Sequence, residues 1–78
     1  MNNDLSIIYL QNGKIAVLYD TITVADKTIY KYNVPCPVCN TYVKCYSYDG
    51  KYFENIQVNC KNCGIFFKPV IKRKEVNK

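Results

Sequence analysis

Alternation of apolar and polar positions, rather than helical spacing, organises this chain. No stretch places apolar residues at i, i+3, i+4 and i+7 between caps. Short runs rich in Ile, Val, Leu, Thr and Tyr recur instead between turn residues, which is the pattern of strands. Residues 5–10 (LSIIYL) lead into Asn12-Gly13, a strong hairpin signal, and residues 15–20 (IAVLYD) return. Residues 21–24 and 28–34 flank a second turn at Ala25-Asp26-Lys27, so the first 34 residues predict a three- or four-stranded meander. Farther on, residues 41–48 (TYVKCYSY) read as a strand, Asp49-Gly50 as a tight turn, and residues 52–59 (YFENIQVN) as the returning strand. Residues 64–71 (GIFFKPVI) read as a last strand, whose end Pro69 confines to a sheet edge. Residues 72–78 (KRKEVNK) have no apolar pattern and predict a frayed tail. The expectation is an all-β fold in three parts: a β-meander over 1–34, a three-stranded antiparallel unit over 35–71, and a basic tail over 72–78.

A chain of 78 residues makes one domain at most, and its core alone supplies only a few kcal/mol. Folds of this size add a staple, either disulfides or a metal. Five cysteines and no histidine narrow the choice. The N-terminal stretch MNNDLSIIYL has no basic segment followed by a long apolar one, and no run approaches the ~18 residues of a membrane span. The chain therefore reads as intracellular, with no membrane contact, in a compartment where thiols stay reduced. An odd cysteine count also fits poorly with a closed disulfide set.

Cysteines 36, 39, 60 and 63 form two C-x2-C pairs separated by 20 residues, at the upper end of the spacing read as a zinc site. Zinc takes four thiolates in a tetrahedron at about 2.3 Å. One C-x2-C turn points two sulfurs at one ion, and a hairpin between two such turns brings them together. Asn40 and Gly64 follow the two pairs and suit the left-handed residue that closes each turn. Pro37 fixes φ within the first. One structural Zn²⁺ on Cys36, Cys39, Cys60 and Cys63 is the expectation, set against an iron site, thioredoxin-type redox chemistry and disulfides, for which the surrounding pattern gives less support. Cys45, the odd cysteine, sits mid-strand on the face of Val43. It reads as a small buried hydrophobe, with an exposed reactive thiol or a ligand exchange with Cys39 as the alternatives.

The stretch C-P-x-C-N, followed after a hairpin by C-x-x-C-G and a third strand, resembles the zinc-ribbon family over about residues 34–71. The resemblance implies a zinc-stabilised three-stranded antiparallel sheet. Ribbons of this kind occur in transcription elongation and transcript-cleavage factors, polymerase subunits, ribosomal and replication proteins and small viral proteins. Cleavage-factor ribbons carry an acidic pair at the hairpin tip. Here Asp49 is followed by Gly50 and Lys51, so that activity is not implied.

Charge divides the chain unevenly. Of the net +5, residues 1–34 contribute zero (Lys14, Lys27, Lys31 against Asp4, Asp20, Asp26) and the cysteine half contributes all the excess. Alternation places Tyr42, Lys44, Tyr46 and Tyr48 on one face, with Lys51 at the hairpin tip and Lys68, Lys72, Arg73 and Lys74 beyond. Lysines that meet phosphates, interleaved with rings that stack on bases, suit single-stranded nucleic acid. The same tyrosines also serve as strand formers in a thin core. A zinc closed by four cysteines has no open position for water or substrate, and there is no histidine base or phosphate loop, so no enzymatic activity is expected. The sequence points to a small zinc-binding module in transcription, replication or another nucleic-acid-processing complex. The alternative is a protein–protein adaptor or inhibitor, in one version viral and aimed at a host complex, with no direct nucleic-acid contact; under either reading the apolar N-terminal strands offer a surface for self-association.

Overall fold

The computed structural model describes residues 5–72, and every regular element among them is a strand. The β-branched and aromatic runs form β1 (Ile7–Tyr9), β2 (Ile15–Val24), β3 (Lys27–Pro35) and β4 (Tyr42–Ser47), joined in chain order into one antiparallel sheet. Two short strands, β5 (Val58–Asn59) and β6 (Phe66–Phe67), make a separate hairpin. The all-β class is therefore as the alternation predicts. Arg73 and Lys74 lie outside the described residues.

The partition into parts differs from the expectation. Residues 41–48 do not belong to a three-stranded unit with the two strands that follow. Instead β4 pairs with β3, from Pro35↔Tyr42 to Tyr30↔Ser47, and completes the N-terminal sheet. The returning strand over 52–59 shrinks to Val58–Asn59. The cause lies at Asp49-Gly50. The Ser47 hydroxyl accepts the Gly50 N–H at 2.8 Å, and the Asp49 carboxylate accepts the Lys51 N–H at 2.8 Å. These bonds hold a wide side-chain-capped turn in place of a two-residue hairpin. The chain then touches β4 again, with Glu54 N–H donating to Tyr46 O and Tyr46 N–H donating to Asn55 Oδ1. Glycine suits this turn best. The φ of Gly50 is +74°, and a Cβ there would stand 2.7 Å from Leu5 Cδ2.

Strand β2 also runs through a position where the alternation suggests a break. Residues 15–20 and 21–24 form one strand, with a bulge between Leu18 and Asp20. Tyr19 is the extra residue, so the inward phase passes from Leu18 to Thr21, opposite Tyr30, and Asp20 stays outside. The following turn is two residues, Ala25 and Asp26, both at positive φ, while Lys27 already pairs with Val24.

The core lies on one face of the four-stranded sheet. Ile8, Leu10, Ala16, Tyr32, Val34 and Cys45 are buried there, covered by Val58 with Phe53, Phe67 and Ile71 around them. Tyr32 is fully buried and satisfies its hydroxyl by donating to Leu5 O at 2.7 Å, while Phe53 meets its ring edge-on at 5.7 Å. Cys45 is 1% exposed. It is the small buried hydrophobe of the sequence reading, not a surface thiol, and burial pushes its thiol up to about 12. The far edge of β1 is also occupied: Leu10 bridges Ile71, Gln11 N–H donates to Val70 O, and Lys72 N–H donates to Tyr9 O.

Candidate metal centre

Each cysteine pair is the turn of a hairpin. The strand β3 ends at Pro35, Cys36 to Asn40 make the turn, and β4 begins at Tyr42. Likewise β5 ends at Asn59, Cys60 to Gly64 make the turn, and β6 begins at Phe66. The backbone bonding of the two turns is the same. Cys36 N–H donates to Thr41 O and Cys60 N–H to Ile65 O, both at 2.9 Å. Asn40 N–H donates back to Cys36 O at 2.9 Å and Gly64 N–H to Cys60 O at 2.7 Å. Asn40 at φ 65° and Gly64 at φ 83° close the turns in the left-handed region, as the residue types require. The side-chain amide of Asn59 donates to Gly64 O and Ile65 O, bracing the second turn.

Brought together, the four sulfurs all lie within 4.8 Å of one another. Cys36 and Cys63 are 3.6 Å apart, and Cys39 and Cys60 are 3.5 Å apart. A disulfide needs about 2.05 Å, and all five cysteines are free. A tetrahedron with metal–sulfur bonds of about 2.3 Å has sulfurs about 3.8 Å apart. The spacing thus fits four sulfurs around one ion, and the cluster can hold a metal. Cys36 and Cys60 are buried, Cys39 is half-buried and Cys63 is exposed.

The local electrostatics favour thiolates at the first turn. Hydrogen bonds from the Thr41 hydroxyl, 3.3 Å away, from the Asn62 side chain and from the Thr41 backbone bring Cys39 down to about 5. Burial opposes ionisation of Cys36, but the N–H groups of Cys39 and Val38 at its sulfur lower it overall. At Cys63 the Ile65 N–H lowers the pKa, yet desolvation and its three sulfur neighbours push it up to about 12. Four thiolates at this spacing repel one another, and a dication between them removes that repulsion.

The remaining sequence-predicted positions do not form one patch. Tyr42, Lys44 and Tyr46 are exposed on β4, on the sheet face opposite the core, and Tyr48 is exposed just beyond it with its ring 6.4 Å from that of Tyr46. Lys51 is exposed in the turn after β4. Lys68 instead lines a cleft of about 240 Å³ with Leu10, Val34, Pro35, Pro37 and Phe67, and Lys72 flanks β1. Sequence reasoning missed Tyr9, Tyr19 and Lys31, which the strand register brings to the same outer face as Lys44 and Tyr46. The signal was present in the alternation of residues 7–19, which puts Ile7, Tyr9, Ile15, Val17 and Tyr19 out of phase with the core.

Compared with models of known families, with curated proteins and with solved structures, the chain matches none of them.

Proposed function

We propose that this protein is a small, non-catalytic binding module stapled by one structural Zn²⁺ on Cys36, Cys39, Cys60 and Cys63, in the manner of a zinc ribbon, and that it works on nucleic acid or in a complex that processes it. The observation that carries the reading is the convergence of four sulfurs within 4.8 Å, from two turns with the same backbone bonding. Zinc is favoured because an all-thiolate tetrahedral donor set suits it and because four protein ligands leave no open position, which makes the role structural rather than catalytic. In this reading the ion joins the β3–β4 turn to the β5–β6 turn and so holds Val58 and Phe67 over the core of the main sheet. Reduced thiols at Cys36 and Cys60, and the metal they would bind, belong to an intracellular setting. The excess of basic residues in the cysteine half supports a nucleic-acid partner.

The test has two arms. Elemental analysis of protein expressed and purified under reducing conditions should find one zinc per chain. Cobalt exchanged into the site should give the thiolate charge-transfer bands of a tetrahedral centre. Protein that folds cooperatively without stoichiometric metal refutes the staple. The binding arm measures affinity for random-sequence oligonucleotides across salt concentrations. A folded, zinc-loaded protein with no affinity even at low salt leaves the adaptor reading in its place. The exposed apolar residues Ile7, Ile15 and Val17 on the outer sheet face favour that second reading.

A further inference from the structure

We infer that the outer face of the β1–β4 sheet is a stacking platform for single-stranded nucleic acid, formed by Tyr9, Tyr19, Tyr42 and Tyr46 around Lys31 and Lys44. The inference rests on the binding-module reading and names the surface and ligand for it.

Four strands contribute to one face. Register places Ile7, Val17, Asn33 and Lys44 in one row across the sheet, and Lys31 opposite Tyr46 in the next. Core residues occupy the alternate positions, so these side chains stand on the opposite side. The rings are open: Tyr9 is 65% exposed and Tyr42 60%, with Tyr19 and Tyr46 just over 40%. A thin-core role for these tyrosines is therefore excluded, since the core is made on the other face with Tyr32.

The bulge in β2 shapes the platform. By inserting one residue it keeps both Tyr19 and Asp20 outside, and it leaves the Tyr19 ring 5.5 Å from the Lys44 ammonium. A cation over an aromatic face is attracted to it, which ties β2 to β4 across β3 on this face. Bulges of this kind re-aim a side chain beside functional surfaces. Asp20 lies across from Lys31 and is the acid on the strand positions of this face, against Lys27, Lys31 and Lys44.

The chemistry selects the ligand. Lysines between open rings neutralise phosphates while the rings stack on bases, and stacking needs bases that are not already paired. A dry sheet-on-sheet dimer would have to desolvate two or three lysines and several tyrosine hydroxyls per copy without visible partners, which carries a large cost. Among the described residues every regular element is a strand, so no helix is there to enter a major groove.

The experiment uses the full zinc-loaded chain, with metal content checked for every variant. A fluorescent random-sequence single strand and the matching duplex are titrated by anisotropy. Intrinsic tyrosine emission gives a second readout, because the chain has no tryptophan. Single strands should bind more tightly than duplex and quench the tyrosines. Phosphate contact by two lysines should weaken binding at least about sevenfold between about 50 and 200 mM salt. Tyr19→Ala and Tyr46→Ala should each weaken binding about fivefold or more, while Tyr19→Phe and Tyr46→Phe keep most of it. The phenylalanine variants separate loss of stacking from loss of fold. Unchanged affinity in both alanine variants, with loss on Lys68→Ala or Lys72→Ala instead, would sink the platform and leave a nucleic-acid function elsewhere. Preference for duplex, or concentration-dependent dimerisation abolished by Tyr9→Ala and Tyr42→Ala, would also overturn it. In each case zinc content and the melting transition report independently on the underlying module.

Discussion

Removing the zinc proposed for the cysteine cluster should unfold this protein rather than merely loosen one loop. An ion held by the four cysteines would join the turn of the main sheet to the turn of the β5–β6 hairpin, and that hairpin carries Val58, which is 7% exposed, and Phe67, both part of the core cluster. Full burial of a Val or Phe side chain contributes about 1.5–3 kcal/mol. Without the staple, losing Val58 and part of Phe67 costs about 2–5 kcal/mol before the newly exposed Ile8, Leu10 and Tyr32 are counted. A chain of 78 residues has a total stability on the order of 4–12 kcal/mol, and apparent zinc binding energies of about 10–16 kcal/mol are of that size or larger. On these magnitudes a zinc staple and the fold would be one thermodynamic unit. Thermal melts by circular dichroism, with and without a strong chelator, provide the assay. The metal-loaded protein should melt in one transition and the chelated protein should show none. Cys45 gives a site-specific readout, since it is 1% exposed in the same core cluster as Val58. It should resist a maleimide reagent in the loaded protein and react readily after chelation. An unchanged transition, with Cys45 still protected, would show that the fold stands without the metal.

Three further predictions follow from particular backbone and burial features. Gly64→Ala places a Cβ in open space but at φ +83°, so it should cost about 1–2 kcal/mol and about tenfold in metal affinity. Gly64→Asn should be milder, because Asn40 holds the same position in the other turn, and equal losses for Ala and Asn in a competitive zinc titration would count against this. Ala25 and Asp26 both lie at positive φ, so the double change Ala25→Asn, Asp26→Gly should stabilise by about 1 kcal/mol. A melting temperature that fails to rise by roughly 4–8 °C contradicts the assignment of this turn. The folded pKa of Cys45 is raised from 9.0 to about 12. Below 9 the thiol is neutral whether folded or unfolded. Above 9 only the unfolded chain ionises, so stability falls as pH rises from about 9 toward 12. Tyr32, raised from 10.0 to about 12, adds the same sign above 10. Between pH 9 and 10, Cys45→Ala should flatten the decline in melting temperature, and an identical slope in both proteins would rule out Cys45 as its source.

Elements whose causes are local were already legible in the order of residues. Alternating β-branched and aromatic residues gave strands because the period of two is written residue by residue. Two C-x2-C pairs, each closed by a residue that tolerates positive φ, gave the two turns at Cys36 and Cys60, because five consecutive residues suffice to form one. The tertiary structure decided what no local pattern contains. It assigned β4 to β3 rather than to the residues that follow it, because Ser47 and Asp49 take up the N–H groups that a tight hairpin would have used. It also joined residues 15–24 into one bulged strand, because only that phase shift keeps Asp20 out of the core and returns Thr21 to face Tyr30. The outer face is likewise a product of pairing. Tyr9, Tyr19 and Lys44 are distant in sequence, and only antiparallel register across four strands makes them neighbours. Local conformational preference is encoded within a few residues of each position, whereas register and sheet order are settled by which long-range contacts bury Ile8, Tyr32 and Val34 together.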